Sequence, residues 1–483
     1  MSNWLVTFTE IVNVVDDFVW GLPLVCLILF GGVWLTFRLG CVSFLQLPRA
    51  LVYMVRSEPG GKGEVSSFAA LCTALSATIG TGNIVGVATA YVMGGPGALF
   101  WMWVAAIFGL ATKYSEGVLA VKYRECDPVT GRTLGGPFLY IERGMGRKWR
   151  WLAKLFAVFG VLVGLFGIGT FTQVNSICGS FATFFQNWSD PQQTCSLVIA
   201  GNSYSHATVF GSFLLASLVG LVVIGGLKRI AFVAAAVIPV MVLLYVGFTL
   251  LLLGCNVARI PHAICLIVKG AFAPGPVTGG IVGTVFVVLQ KGIARGIFSN
   301  EAGLGSAPIA AAAAQTREPV RQGLVSMTGT FLDTIVVCSM TGLALTVTGQ
   351  RFGSDAPQGV AATMQAFRVG IPFLPWVVTD FILMISLVLF GFTTILGWNY
   401  YSARCLEYLT GGDLRPVMAY HWLYIAAVFI GPYMTVSAVW GIADIVNGLM
   451  AVPNMIALFA LSGVIAQETK SYFTRLGRGK IKE

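Results

Sequence analysis

Ser76-Ala77-Thr78-Ile79-Gly80-Thr81-Gly82-Asn83 stands in the middle of an apolar run covering about residues 67–93. A spanning helix needs about 20 mostly apolar residues, so the run is long enough to cross a bilayer. Glycine, threonine and asparagine at its centre weaken an unbroken helix there. Unpaired backbone groups in lipid are costly, so a break at this depth has to line a cavity buried in protein. A second stretch repeats the feature inside 279–313: Lys291, Gly292 and Arg295 precede Gly296-Ile297-Phe298-Ser299-Asn300-Glu301-Ala302-Gly303-Leu304-Gly305-Ser306-Ala307-Pro308.

The surrounding chain supports a membrane reading. Of its 483 residues 56% are hydrophobic and 10% charged, and the mean hydropathy is +0.82. A soluble chain carries about 25% charged residues. This composition excludes a secreted disulfide scaffold, a disordered chain and a cytosolic multidomain enzyme. The 10 cysteines are scattered without a close pair, and the 3 histidines lie far apart. No metal centre, redox site or enzymatic cofactor is expected from them.

Eleven candidate spans follow: about 18–37, 67–93, 96–121, 151–186, 207–226, 231–254, 279–313, 322–348, 372–403, 417–438 and 442–466. The first residues hold Glu10, Asp16 and Asp17 and no Lys or Arg, unlike a signal peptide. The net charge of +10 could suit nucleic acid, but it sits in alternate loops and in the tail at Lys470, Arg475, Arg478, Lys480 and Lys482. The opposite loops hold only Arg259, Lys269, Arg351 and Arg368. That bias puts the N-terminus outside and the C-terminus in the cytoplasm, which an odd number of spans requires. A bacterial inner membrane fits, and no nucleic-acid partner is expected.

With the first span set aside, two sets of five remain, and each opens with a broken helix. The third member of each set is long: at 1.5 Å per residue, a helix over 151–186 would reach roughly 54 Å and must tilt. Five is odd, so the two sets enter from opposite sides. Paired interruptions in inverted halves point to a secondary transporter's binding site. The chain divides accordingly into 1–66 (first helix and cytoplasmic loop), 67–254 and 279–466 (the two repeats) and 467–483 (a basic cytoplasmic tail).

The break at Gly80-Thr81-Gly82-Asn83 frees backbone N–H groups at a positive helix end, where a carboxylate is stabilised. The preceding turn, Ser76 to Ile79, frees carbonyl oxygens that suit a hard cation. Thr393 and Thr394 could complete that cation's oxygen shell, and Trp398, one turn on, shares the face of Thr394 and could cap a small pocket. Intramembrane charges are usually functional. Glu301 would take the N–H groups freed by its own break as partners. Lys113 and Glu116 stand i, i+3 and can pair with each other. Lys291 and Arg295, i, i+4, can reach Glu116 or Asp333.

Gly94-Gly95-Pro96-Gly97-Ala98-Leu99-Phe100-Trp101-Met102-Trp103-Val104-Ala105-Ala106 resembles the signature of the alanine or glycine:cation symporter family, the sodium:alanine symporters. So do Gly80-Thr81-Gly82-Asn83-Ile84-Val85-Gly86-Val87-Ala88, Ala111-Thr112-Lys113-Tyr114-Ser115-Glu116 and the run Phe298 to Pro308. The likeness runs from about 60 to 465. It implies an all-α integral membrane protein of eleven transmembrane helices: a leucine-transporter-like five-plus-five inverted repeat with one extra N-terminal helix. It also implies import of alanine or glycine with Na⁺ as the coupling ion. On the matching positions, Thr81, Gly82 and Asn83 would hold the carboxylate, and Phe298, Ser299 and Asn300 the ammonium and part of the wall. Thr394 and Trp398 would close around the methyl group, with Gln173 as a further pocket member. Na⁺ would sit between the carbonyls of Ser76 and Ile79 and the hydroxyls of Thr393 and Thr394. The alternative is a transporter of the same fold for another small amino acid, coupled to H⁺, with Glu116, Glu301 or Asp333 as the relay.

Overall fold

In the computed structural model, the described residues are 10–479 apart from 13, 17, 57–62, 127–131, 189–195, 200–201, 273–279, 351, 354–355, 358 and 435. Asp17, Arg351, Lys480, Lys482 and Cys195 among the expectations above lie outside them. The chain is almost wholly helical. Eight helices are long and apolar enough to cross a membrane, or nine when one bent pair counts as a single span, among the described residues. With its family, reported below, this makes it a multi-pass membrane protein.

The helices are, in order, α1 Leu22–Arg38, α2 Leu47–Val55, α3 Ser67–Thr78, α4 Val85–Gly94, α5 Gly97–Lys122, α6 Arg150–Phe166, α7 Phe171–Trp188, α8 His206–Val223 and α9 Gly226–Cys255. There follow α10 Ile260–Phe272, α11 Gly280–Asn300, α12 Ala307–Ala311, α13 Pro319–Thr330, α14 Ser339–Val347, α15 Val360–Gly370, α16 Trp376–Leu409, α17 Leu414–Ile430, α18 Val436–Ala460 and α19 Ser462–Gly477. A π-helical stretch, Phe331–Cys338, joins α13 to α14. α5 is the spine of one group, packed along α11 and α13, while α16 packs on α6, α7 and α9. Small residues permit the closest crossings, as in membrane helices generally. A Cβ at Gly117 of α5 would lie 2.9 Å from the Cα of Gly323 on α13, so these two backbones touch.

Both broken spans are present. α3 is capped by Ser66 Oγ, which accepts from Ala69 N at 3.2 Å. It ends at Thr78, and the span bends by 59° before α4. Between them Ile79 and Gly80 are extended, and Thr81–Asn83 form one 3₁₀ turn. α11 runs to Asn300; Glu301, Gly303 and Gly305 then take positive φ angles of 56°, 94° and 80° before α12 starts at Ala307, with Pro308 in its first turn. The long span expected over 151–186 is present as one candidate span, Arg147–Phe185, but its helix is interrupted. It stops at Phe166 and restarts at Phe171 through a turn at Gly167–Thr170, where Gly169 is pressed against the Cβ of Trp398 at 2.7 Å from its own ideal Cβ position. Its counterpart α16 is unbroken over 34 residues.

The two ends of the bundle differ. At one end, Glu64 N and Val65 N donate to Ala313 O at 2.9 and 3.2 Å, and Gln315 N donates to Val65 O at 2.8 Å. The start of the first broken span is thereby stitched to the end of the second. Arg404 closes the seam with ion pairs to Glu64 at 2.9 Å and Glu407 at 2.8 Å. A void of about 10 Å³, lined by Thr78, Lys113 and Gln322 among others, lies near it. At the other end a cavity of about 840 Å³ opens between α4, α7, α11 and α18, with Thr89, Asn175, Arg295, Trp440 and Asp444 on its wall. The stretch expected as a basic tail is helical to Gly477, and it docks on the bundle: Arg475 pairs with both oxygens of Glu318 at 2.8 Å.

Candidate substrate and cation site

The first break is held open by side chains. Asn83 Oδ1 accepts from Gly80 N at 2.9 Å, and its Nδ2 donates to Asp333 Oδ1 at 2.6 Å. Thr341 donates to the carbonyl of Asn83 at 2.8 Å. From α7, Gln173 Oε1 accepts from Thr81 N at 3.0 Å, while Gln173 Nε2 donates to Ile168 O in the α6–α7 turn at 3.0 Å. The turn between α6 and α7 thus sets a cap on the first break.

The second break faces the first. Gly82 lies against Phe298 and Ser299, with 3.4 Å and 3.7 Å from its ideal Cβ position to the Phe298 ring and the Ser299 Cα. Ser299 and Thr334 hydroxyls both donate to Asp333 Oδ2 at 2.8 Å. Asn300 Nδ2 donates to Thr334 at 3.0 Å, and Lys113 Nζ donates to the Asn300 carbonyl at 2.9 Å. Asp333, fully buried on the π-helical stretch, therefore grips Asn83 of one break and Ser299 of the other. The sequence offered Asp333 as an ion-pair partner for Lys291 or Arg295 and as a relay acid, not as the link between the breaks. Its neighbour Cys338, 3.2 Å from Ser299 Oγ, carried no signal at all. π-Helical turns are enriched at functional sites.

The charged groups differ from expectation. The N–H groups freed at Gly303 and Gly305 donate to Glu116 Oε1 at 3.1 and 3.2 Å, rather than to Glu301. Glu116 takes these and Asn454 at 2.7 Å as partners, because its helix α5 lies directly behind the break. Arg295 pairs with Asp444 through two bonds of 3.0 and 2.7 Å instead of with Glu116 or Asp333. Its guanidinium stands 4.9 Å from the Trp440 ring centre and 5.4 Å from that of Phe298. Arg295, Trp440 and Asp444 line the large cavity.

The proposed cation ligands separate into two groups. Thr394 Oγ1 faces the carbonyl of Ile79 at 3.4 Å, beside Gly80. Ser76 lies one turn back, where Gly397 of α16 presses on it. Thr393 turns the other way, 3.5 Å from Met241 Sδ on α9. Trp398 sits deeper, with its Nε1 donating to Glu301 Oε1 at 2.8 Å. The oxygens around Ile79 are carbonyl and hydroxyl, a set for a hard cation. Prediction, on the cation site expected from the sequence: Thr394→Val raises the Na⁺ concentration for half-maximal substrate binding about tenfold, while Thr393→Val changes it by less than about threefold, because one hydroxyl faces the Ile79 carbonyl and the other is turned away. Equal shifts in a Na⁺ titration would remove the distinction.

A family model described as the sodium:alanine symporter family matches residues 5–483. The chain belongs to the sodium:alanine symporter family. The match extends well beyond the residues 60–465 that carried the likeness in the sequence. Within this family, the chain is 43% identical to the sodium/alanine symporter AgcS of Methanococcus maripaludis, over 96% of this chain and 97% of that protein. It is 36% identical to the probable sodium/glutamine symporter GlnT of Bacillus subtilis, over 98% of this chain and 92% of that one. These relatives of the sodium:alanine symporter family are transporters, not enzymes. In fold the chain is similar to MhsT, solved in complex with L-phenylalanine, with a TM-score of 0.55 and 12% identity over 86% of this chain and 99% of that one.

Proposed function

We propose that the chain imports a small neutral amino acid, alanine or glycine, in symport with Na⁺ by alternating access. The observation that carries this reading is the meeting of two broken spans, with Gly82 against Phe298 and Ser299, next to an Ile79 carbonyl that faces Thr394. In this reading Thr81, Gly82 and Asn83 receive the carboxylate, and the carbonyls of Phe298, Ser299 and Asn300 receive the ammonium. Thr394 and Trp398 bound the methyl group, and Gln173 positions the first break. Na⁺ binds at Ile79 and Thr394, with Ser76 and Thr393 flanking. The large cavity is the outer vestibule, and the Glu64–Arg404 seam closes the cytoplasmic side.

The proposal counts eleven spans. The eight long helices and the bent pair are joined by α1 and by the second broken span, α11 with α12. Residues 67–254 and 279–466 are then the inverted repeats, following a segment of 1–66, and 467–483 end on the cytoplasmic side of a bacterial inner membrane. The driving force is adequate: one charge crossing about 100 mV is worth about 2.3 kcal/mol. At about 1.4 kcal/mol per decade that is roughly fifty-fold accumulation per Na⁺.

The test is labelled alanine uptake into proteoliposomes under an inward Na⁺ gradient, with an equal K⁺ gradient as control. Glycine, leucine and glutamine serve as competitors. Uptake that needs Na⁺ and yields to glycine alone is expected. Uptake driven only by an imposed pH gradient would transfer the coupling to H⁺, and strong competition by glutamine would overturn the small-substrate assignment.

A further inference from the structure

Trp398 is fully buried, and a buried indole N–H needs an acceptor. Its acceptor is Glu301, the first residue of the second break. Glu301 takes φ of +56°, a left-handed conformation that a non-glycine residue adopts only when its surroundings hold it there. The hold comes from both carboxylate oxygens: Oε1 accepts from Trp398 at 2.8 Å, and Oε2 accepts from Ser306 Oγ at 2.5 Å. Trp398 is wedged in turn. Gly169 leaves no space behind its Cβ, and the Tyr401 ring meets it edge-on with centroids 5.5 Å apart.

Two further contacts of α16, both to the first broken span, lie within one turn of this bond. Thr394 faces Ile79, and an ideal Cβ on Gly397 would come within 2.7 Å of Ser76 Oγ and 2.8 Å of Ala77 N. Residues 394 and 397 therefore seat α16 against the cation half of the first break, while residue 398 grips the second break. A helical turn is stiff, so a shift of the seat is carried to Glu301. Glu301 follows Phe298, Ser299 and Asn300 directly in the chain.

We infer that Glu301 is a positioning residue that couples the cation seat to the amino-acid pocket through its bond to Trp398, and that, on the proposed reading of Trp398 as a boundary of the methyl pocket, the same bond fixes the pocket's upper size limit. The inference rests on the reading of Ile79 and Thr394 as the cation site. What Glu301 supplies is an acceptor oxygen at a set place, not a contact to the substrate. Its charge is shared with a crowded neighbourhood in which Lys113 and Asp333 also act on it, so charge and bond have to be tested separately.

The experiment measures alanine binding to purified, monodisperse protein with and without Na⁺, and leucine competition, for the wild type, Glu301→Gln, Glu301→Ala, Trp398→Phe and the double variant Glu301→Ala/Trp398→Phe. Glutamine keeps an acceptor oxygen without the charge, and phenylalanine keeps a ring without the donor. Glu301→Ala and Trp398→Phe should each lose at least about tenfold of the Na⁺ stimulation of alanine affinity and should admit leucine. The double variant should be no worse than either single, since both remove one bond. Glu301→Gln should restore Na⁺ stimulation to within about threefold and exclude leucine. A Glu301→Gln protein as defective as Glu301→Ala would show that the charge matters and the bond does not, and would overturn the inference. So would a Glu301→Ala protein with undiminished stimulation and selectivity. Absence of Na⁺ stimulation in the wild type would instead overturn the cation site, and the inference with it.

Discussion

Asp333→Ala is expected to lower Na⁺-driven alanine uptake at least about a hundredfold. The carboxylate accepts from Asn83 at 2.6 Å and from Ser299 and Thr334 at 2.8 Å each, with no exposure to solvent. Hydrogen bonds to a charged group contribute about 1.5–3 kcal/mol each, and a buried donor left without a partner costs about 1–3 kcal/mol. Losing even one such bond's worth of alignment between the breaks, about 2.8 kcal/mol, is a factor of one hundred. Asp333→Asn keeps one acceptor oxygen and should be intermediate, about tenfold down. Initial rates in proteoliposomes, with melting temperature in detergent as a control for folding, decide the matter. Wild-type uptake by a folded Asp333→Ala protein would mean that the two breaks are not held in register by this residue.

Gly80→Ala should have an effect of similar size for a different reason. Gly80 has φ −135° and ψ −158°, extended backbone that alanine also adopts. Space is what fails: the added Cβ would lie 2.4 Å from Thr394 Oγ1 and 3.2 Å from Gln173 Oε1. The methyl group has to push Thr394 away from the Ile79 carbonyl, because on its other side stands the amide that caps Thr81. The expected result is an increase of about a hundredfold in the Na⁺ concentration for half-maximal alanine binding, equivalent to about 2.8 kcal/mol. Adding Thr394→Ala to Gly80→Ala returns the space without the hydroxyl, so the double variant should fold better and still bind Na⁺ poorly. A Na⁺ titration of Gly80→Ala that superimposes on the wild type would place the cation elsewhere.

The two breaks were legible because polar and charged residues crowd around the glycines there, a density that an unbroken membrane helix does not carry, and their residue numbers could be read off directly. The Gly167–Thr170 interruption was not, because glycine also serves as a packing residue in unbroken membrane helices, and nothing local separates the two uses. Thr393 and Thr394 illustrate a second limit. Neighbours on a helix point about 100° apart, so one alone can face Ile79; which one depends on the rotation of α16, set by contacts with α6, α7 and α9. The partner of Asn83 lies 250 residues away, and the partner of Trp398 lies 97 residues away. Pairings at that range follow from how whole helices pack. Glu116 shows the same: the sequence placed it beside Lys113, while the fold turned it toward Gly303, Gly305 and Asn454.

In the proposed alternating-access cycle, the inequality of the bundle's two ends makes the solvent itself a participant. Liquid water occupies about 30 Å³ per molecule, so the cavity of about 840 Å³ has room for on the order of 28 waters, against one at most in the void at the sealed end. Closing the wide end returns those molecules to the bulk. A crowding sugar that is excluded from the cavity lowers water activity and so favours the closed form. On that proposal the balance between conformations is set by osmotic pressure as well as by ions and cargo, and a cell under hyperosmotic stress would shift this protein's resting state without changing the concentration of anything it binds.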